Sequence, residues 1–513
     1  MSKSSKADQG NPTRRSFLAG AAGAAIGSTL SMAARKANAQ TKSAAVHTRK
    51  RPLNVLFLMS DDMRTELACY GSRFHVHSPN IDRLAGQGVR FDRNFCQFPL
   101  CNPSRSSMFT GHPPLTTRVL GNTDSVTQLH PDWITLPHLF RQNGYTTLRA
   151  GKLFHAGRDD HNAWTDFYGD VESLHPTAIE TKIDIPKAMI PRPDGVLPTL
   201  PQDDQRAAHS DQLLVLKDKG EGSGDALVRD LTIRYLRENK DKPFFIGCGF
   251  SKPHSPPEAP QSFYDLYEPG EITLPPDFAD WPYVPPGFPS GAIRMRNADL
   301  FIGRGASTEE ARQVIRAYLA SISWVDYNLG LVVSELDALG LRDNTLIVFV
   351  VDHGYQLGEK GKWSKAGSLF EPGTRVPLII HAPGMHGNGS SCMRITQSLN
   401  IYRTVAELAG LDVPAETDGH SMVPLLHDPR AAWEHPAFSI WSEDGATVHG
   451  TAVRTERWRY AEYGQRREED AMLLDPHSDP MELTNLANDP RYTGGRARLS
   501  QLITTYLQES SHA

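Results

Sequence analysis

NVLFLMSDDM, residues 54–63, decides the fold. Val55 to Met59 form an unbroken apolar run, the pattern of a strand buried on both faces rather than one that alternates toward water. The run stops at two adjacent acids, Asp61 and Asp62. The design recurs at TLIVFVV (345–351), which ends in Asp352-His353-Gly354, and PFFIGCGF (243–250) is a third buried strand, opening into SKPHSPPEAP.

Helical patterns lie between these strands. SPNIDRLAGQG (78–88) predicts a capped helix closed by Gly86 or Gly88. TLPHLFRQNGYTTLRAGKLFH predicts a helix over 135–142, a turn at Asn143-Gly144, and a short strand running into Gly151-Lys152-Leu153-Phe154-His155. The clearest helix is 307–340, where Ser307 and Glu310 make a capping box. Val314, Tyr318, Ile322, Val325, Leu329, Val332 and Leu336 form its apolar stripe, which reads as core. Alternating strands and helices predict an α/β fold with a mostly parallel central sheet flanked by helices, over 53–433. TAVRTERWRYAEY and AMLLDPHSDPMELTNLA predict short antiparallel strands in a smaller C-terminal α+β domain, 434–513. Residues 251–290 hold 11 of the 37 prolines and predict an ordered, helix-poor loop.

The chain start reads as an address rather than fold. Arg14-Arg15, a weakly apolar Ala/Gly run and Ala37-Asn38-Ala39 predict a twin-arginine export signal over 1–39, followed by a polar linker over 40–52. The run is too poor in large apolar residues for stable membrane insertion, and no other stretch approaches the ~20 apolar residues of a span. Without residues 1–39 the chain carries 48 basic and 58 acidic groups, a net −10 with no basic tract, which argues against a nucleic-acid partner. Five cysteines (Cys69, Cys96, Cys101, Cys248, Cys392) at uneven spacing are no disulfide framework. At least one thiol needs an explanation, and Cys101 is the one singled out.

Ligands of open parallel sheets bind beyond the carboxyl ends of the strands. Acids at two such ends suggest a divalent cation held by hard oxygens. Arg105, Lys152, His155, His254 and Lys365 supply cations for an oxyanion, and Cys101 stands just before a helix expected over 104–110, whose N-terminus favours negative charge. Together they point to sulfate or phosphate.

Cys101-Asn102-Pro103-Ser104-Arg105, followed by Met108-Phe109-Thr110-Gly111, resembles the signature of type I sulfatases. The resemblance extends through Asp61-Asp62, SPNIDRLA, GYTTLRAGKLFH, KPHSPP, DHGYQLGEKGKWSK and RVPLIIHAPG, most of the chain beyond the signal. GKLFH, the Asp-His pair at 352–353, CYG at 69–71, LTTR at 115–118 and KWSK are similar to the iduronate-2-sulfatase branch. The family implies an alkaline phosphatase/sulfatase-like fold and explains Cys101. A formylglycine-generating maturation enzyme oxidises the side chain to formylglycine (3-oxoalanine). One hydroxyl of its hydrate attacks sulfur and releases the alcohol, and the second then loses its proton as sulfate leaves.

The resemblance implies roles position by position. Asp61, Asp62, Asp352, His353 and an oxygen on residue 101 would bind Ca²⁺, with Asp352 able to take the proton of the attacking hydroxyl. Arg105 would hold the hydrate and a metal carboxylate, and Lys152 the sulfate oxygens. His155 would be the base for collapse of the intermediate. His254, as general acid, and Lys365 would face the leaving group. Imidazole is uncommon on Ca²⁺, so another divalent metal, or His353 beside a ligand rather than as one, stays open.

The expected substrate is a sulfated mono- or oligosaccharide, with a 2-O-sulfated uronic acid or an algal polysaccharide both open. Segments 156–230 and 255–306 should decide it. Phosphonate or phosphate diester hydrolysis with the same apparatus is the alternative. A thiolate phosphatase would space Cys and Arg by five residues against three here, and a non-catalytic sugar-binding relative would have lost a metal acid or the cysteine.

Overall fold

Strand β1 (Asn54–Asp61) lies in the middle of a mixed sheet with every residue buried. Its alternate side chains feed two separate cores. Leu56 and Leu58 enter one, and Val55, Phe57 and Met59 enter the other. This is why the run is apolar at every position: each face is covered, and each large side chain contributes roughly 1.5–3 kcal/mol of burial. The first core holds the helices Gly224–Asn239 and Thr308–Ala338, and the second holds Cys101–Thr110, Leu136–Gln142 and Asn400–Leu408. This computed structural model describes residues 51–168, 179–184, 190–194 and 211–511. The expected export signal and most of the linker lie outside them, as does part of the segment 156–230.

The remaining strands are β2 (Val89–Phe95), β3 (Thr146–Gly151), β4 (Asp166–Tyr168), β5 (Ile179–Asp184), β6 (Gln212–Leu216), β7 (Phe244–Pro253), β8 (Glu258–Pro260), β9 (Thr345–Val351), β10 (Arg375–Val376), β11 (Leu378–His381) and β12 (Ser391–Gln397), with β13 (Ala437–Trp441), β14 (Gly450–Arg454), β15 (Arg459–Tyr463) and β16 (Arg467–Leu474) toward the C-terminus. The central sheet runs β10-β2-β11-β9-β1-β7-β3-β4, with β12 also on β2. From β9 to β4 all pairs are parallel, whereas β11 pairs antiparallel with both β9 and β2. β5, β6 and β8 make a small separate sheet.

The parallel strands end level. Met59 pairs with Gly249, Ser60 with Val351, and Gly151 with Gly249. The chain therefore leaves β9, β1, β7 and β3 side by side, each straight into a segment rich in charge. Gly249 permits this closeness: a Cβ there would sit 2.0 Å from the Lys152 carbonyl oxygen.

The long helix begins at its capping box, with the Ser307 hydroxyl accepting from Glu310 N and the Glu310 carboxylate accepting from Ser307 N. Its expected stripe is buried throughout. The helix Pro79–Ala85 forms as expected, but its cap does not come from Ser78. Asp326 of the long helix accepts from Asn80 N and Ile81 N instead. The proline-rich loop is indeed helix-poor, with β8, the single turn Gln261–Tyr264 and two 3₁₀ turns.

Strands β13–β16 form an antiparallel sheet, and the C-terminal helix Thr493–Ser511 packs Leu499 and Ile503 against Val453 and Tyr460. Buried charges tie this unit to the main sheet. Arg459 pairs with Glu482 at 2.8 Å and with Glu371 at 3.0 Å, and Arg454 pairs with Glu371 at 2.8 Å.

Candidate active site

Asp61 ends β1 and Asp62 follows it in the left-handed region, at φ 63°. A non-glycine residue there is strained unless its surroundings hold it. Three bonds do so. The Tyr318 hydroxyl donates to Asp62 O at 2.7 Å and accepts from Arg64 N at 3.0 Å, and Asp62 N donates to Asp352 Oδ1 at 3.3 Å. The turn aims both carboxylates past the sheet edge.

The signature helix runs Cys101–Thr110, so Cys101 opens the helix instead of preceding it. This corrects the expected start at 104. Pro103 falls in the first turn, where a missing N–H costs nothing, and Gly111 closes the helix at φ 73°. Every residue of the helix is buried. Asn102 pins the neighbouring loop, donating to Gly121 O at 2.8 Å and Asp124 O at 2.7 Å, and the Ser104 hydroxyl donates to Asp352 O at 2.5 Å.

Arg105, fully buried, binds three strand ends together. Nε donates to Asp352 Oδ2 at 2.8 Å, Nη2 lies 3.1 Å from Asp61 Oδ2, and Nη1 donates to the carbonyls of Lys152 and Leu153 at 2.8 and 2.9 Å. Lys152 places Nζ 2.7 Å from Asp61 Oδ2. Lys365 lies between Asp62 Oδ2, 2.9 Å away, and Asp299 Oδ1, 3.2 Å away. His254 donates from Nδ1 to Ser255 O at 2.8 Å, which turns Nε2 toward Asp62 at 3.8 Å. At the centre, Cys101 Sγ lies 3.2 Å from His353 Nε2 and 3.6 Å from Asp61 Oδ1.

The fold thus assembles Asp61, Asp62, Cys101, Arg105, Lys152, His254, Asp352, His353 and Lys365, all from distant parts of the chain. His155 sits in the loop beyond β3 with Nδ1 buried and unbonded, and none of the contacts above includes its ring. Asp299, Tyr318 and Ser104 went unassigned in the sequence. Only the Ser of the Cys-x-Pro-Ser-Arg motif carried a visible signal. Asp299 lies in an aperiodic loop, and the Tyr318 stripe position pointed to core.

Burial opposes charge on Asp61, Asp62, Asp352, His254, His353 and Cys101, and the neighbours decide the outcome. Burial pushes Asp62 up to about 6 against the pull of Lys365. Asp352 is also raised by burial, despite Arg105. For Asp61 the cations win: Lys152 and Arg105 overcome burial and hold the carboxyl well below its usual range. Burial disfavours charged His353, but Asp352 and the Cys101 sulfur raise it to about 10. His254 likewise overcomes burial and Lys365 to reach about 9, through Asp62 and Asp61. The Cys101 thiol, against burial and Asp61, is held well below its ordinary value by Lys365, His353 and Lys152. The site favours negative charge at position 101.

The donors suit a cation. One ligand atom each from Asp61, Cys101, Asp352 and His353 lies within 4.8 Å of the others, and Asp61, Asp62 and His254 form an overlapping group. Asp61 Oδ2 and Asp62 Oδ1 are buried without a hydrogen bond, meeting charged side chains only. Cys101 Sγ stands where an oxygen on Cβ would complete a hard-donor set. All five cysteines are free thiols.

Comparisons with known proteins agree with this geometry. The Sulfatase family model matches residues 53–411, and a model described as N-sulphoglucosamine sulphohydrolase, C-terminal, matches 358–509. A sulfatase of Formosa agariphila is 31% identical over 461 residues, covering 88% of this chain and 86% of that protein. Iduronate 2-sulfatase of Homo sapiens is 33% identical over 435 residues, covering 76% and 75%. The crystal structure of the phosphonate monoester hydrolase of Agrobacterium radiobacter superposes with a TM-score of 0.70 at 24% identity, over 90% of this chain and 96% of that one.

Proposed function

The chain is a sulfuric ester hydrolase of the sulfatase family, and from that premise we propose that it is an exported enzyme that removes sulfate from a carbohydrate through formylglycine at position 101. The observation that carries the reading is the placement of Cys101 at a helix N-terminus among Asp61, Asp352 and His353, with Arg105 and Lys152 beside them.

When formed, the formylglycine hydrate supplies one hydroxyl to bond sulfur and a second whose proton loss lets sulfate depart. A divalent cation, Ca²⁺ by the oxygen-rich donor set, would be held by Asp61, Asp62, Asp352 and His353 and would supply charge neutralisation and a more acidic hydroxyl. Arg105 fixes Asp61 and Asp352 relative to each other, so the donors keep their spacing as sulfate enters and leaves. Lys152 presents an ammonium to the sulfate oxygens. Asp352 can accept the attacking hydroxyl's proton. His254, 28% exposed at its side chain and with Nδ1 tied to Ser255 O, presents Nε2 to the site and in its imidazolium form can donate to the departing sugar oxygen, with Lys365 beside it. His155 remains the proposed base for sulfate release, supported by its unbonded Nδ1.

The similarity to iduronate 2-sulfatase supports a 2-O-sulfated uronic acid as the substrate. Arg14-Arg15 and Ala37-Asn38-Ala39 support twin-arginine export to the periplasm or beyond. The alternative, phosphonate or phosphate diester hydrolysis, is favoured by the structural match to the Agrobacterium enzyme. Sulfate release from 4-nitrophenyl sulfate, compared with cleavage of a phenyl phosphonate ester and of bis-4-nitrophenyl phosphate, separates the two. A kcat/KM higher on the phosphorus esters would overturn the sulfatase reading. A panel of sulfated uronic acids and hexosamines then fixes the sugar.

A further inference from the structure

A cavity of about 480 Å³ opens at the junction of the main sheet and the C-terminal sheet, away from Cys101. Its wall combines residues of the segment 64–73, Arg93 of β2, Arg375 of the edge strand β10, Met393 of β12, and residues of 454–457 and 476–482. None of Cys101, Lys152, His254 or Lys365 lines it. The volume is in the range of small-ligand sites.

Two of its lining groups are poorly explained by the fold alone. Gln356 is 1% exposed, yet neither its amide nitrogen nor its amide oxygen has a hydrogen-bond partner. An amide buried this way destabilises the chain unless something binds it. Arg73 reaches Glu359 with Nη2 at 3.3 Å, but its Nε is buried and unbonded. Around them the wall is built of ion pairs: Arg64 and Arg73 meet Glu359, Arg93 meets Glu456, Arg454 meets Glu371, and Lys360 and Arg457 meet Asp277 and Asp475.

The chemistry of the two orphans selects the ligand. A guanidinium with an unused N–H suits a sulfate or carboxylate oxygen. An amide that needs both an acceptor and a donor suits a hydroxyl, which is both. An acidic or sulfated sugar carries the two groups on one ring. We propose that this cavity is a second, non-catalytic site for an anionic saccharide, which holds a remote part of a polymeric substrate while the strand-end site works on another. The inference rests on the carbohydrate reading above.

The test measures binding apart from turnover. A heparin octasaccharide is titrated into Cys101→Ala protein with and without the pair Arg73→Gln and Gln356→Leu. The proposal expects the pair to weaken binding at least about fivefold. Because Gln356→Leu removes a buried orphan amide, it should leave Tm unchanged or raised. In the chain that retains Cys101, the pair should leave kcat/KM on 4-nitrophenyl sulfate within about twofold while raising KM on a polymeric sulfated saccharide. Arg457→Gln, on a side chain 62% exposed, carries the same test without touching the buried wall, should the pair fail to fold. Octasaccharide affinity within about twofold of the parent in the folded pair, or in Arg457→Gln if the pair does not fold, would overturn the proposal. Failure of 4-nitrophenyl sulfate turnover in the parent would count against the sulfatase reading and leave the binding result to stand by itself.

Discussion

Two buried charge clusters in this protein use similar residues to different ends. At the junction of the two sheets, Glu371 and Glu482 meet Arg454, Arg459 and, at 3.9 Å, Arg375, two acids against three permanent cations. Against burial, Arg454 and Arg459 hold Glu371 down to about 2. At the strand ends, Asp61, Asp62, Asp352 and Asp299 meet Arg105, Lys152 and Lys365, with His254 and His353 raised to about 9 and 10 beside them. The junction acids meet arginines alone, with no thiol or histidine in these pairs. The strand-end cluster adds a helix N-terminus, two histidines and the Cys101 sulfur, whose thiol Lys365, His353 and Lys152 hold low against burial and Asp61. Several strongly shifted groups gathered around one reactive side chain are what mark the strand ends as the functional site.

The sharpest way to break this contrast is to remove an acid from each cluster. Asp62→Ala should cut turnover by about 10⁴-fold or more and lower bound metal in parallel, read by steady-state kinetics and elemental analysis. Loss of turnover with metal retained would assign Asp62 another role. His254→Ala should act selectively, costing about 10²-fold on a sugar sulfate and far less on an aryl sulfate, whose phenolate needs little protonation. Equal losses on the two substrates would remove His254 as the leaving-group acid.

At the junction the expected effect is on stability instead. Arg459→Met leaves Glu371 and Glu482 short of a partner and should cost about 3–5 kcal/mol, as removal of one member of a buried pair does. The folded variant should keep kcat on an aryl sulfate. A large kcat defect would show that the junction also governs the site.

The elements most legible in the sequence were those where one local pattern reports one environment. β1 and β9 read directly, because a strand covered on both faces must be apolar throughout and its acids must then lie at its end. The helix Thr308–Ala338 read from its capping box and stripe. The antiparallel pairing of β11 with β9 and β2 was not legible, since LIIH is apolar whichever way its neighbours run. The Asp326 cap on the helix Pro79–Ala85 joins residues about 245 apart and leaves no local trace. In the site, motif residues were legible individually. Their convergence, and the share of Asp299 and Tyr318 in holding Lys365 and Asp62, depended on contacts across the whole chain.

The smallest expected effect is a pH window. Burial raises Asp62 from 3.8 to about 6, so without a cation its contribution to stability is fullest below about pH 3.8 and falls as pH rises through 6. A cation binds the ionised carboxylate and reverses that slope. Added CaCl₂ should therefore raise Tm clearly at about pH 7.5 and much less at about pH 5. An equal rise at both values would remove Asp62 from the ligand set.

The central claim is that residue 101 works as an aldehyde and not as a thiol. Peptide mass mapping of active enzyme, produced alongside a formylglycine-generating activity, reads this directly. The account predicts that the tryptic fragment containing position 101 is lighter by the thiol-to-aldehyde difference, in a fraction that tracks specific activity across preparations. Full activity with an intact Cys101 thiol would contradict it.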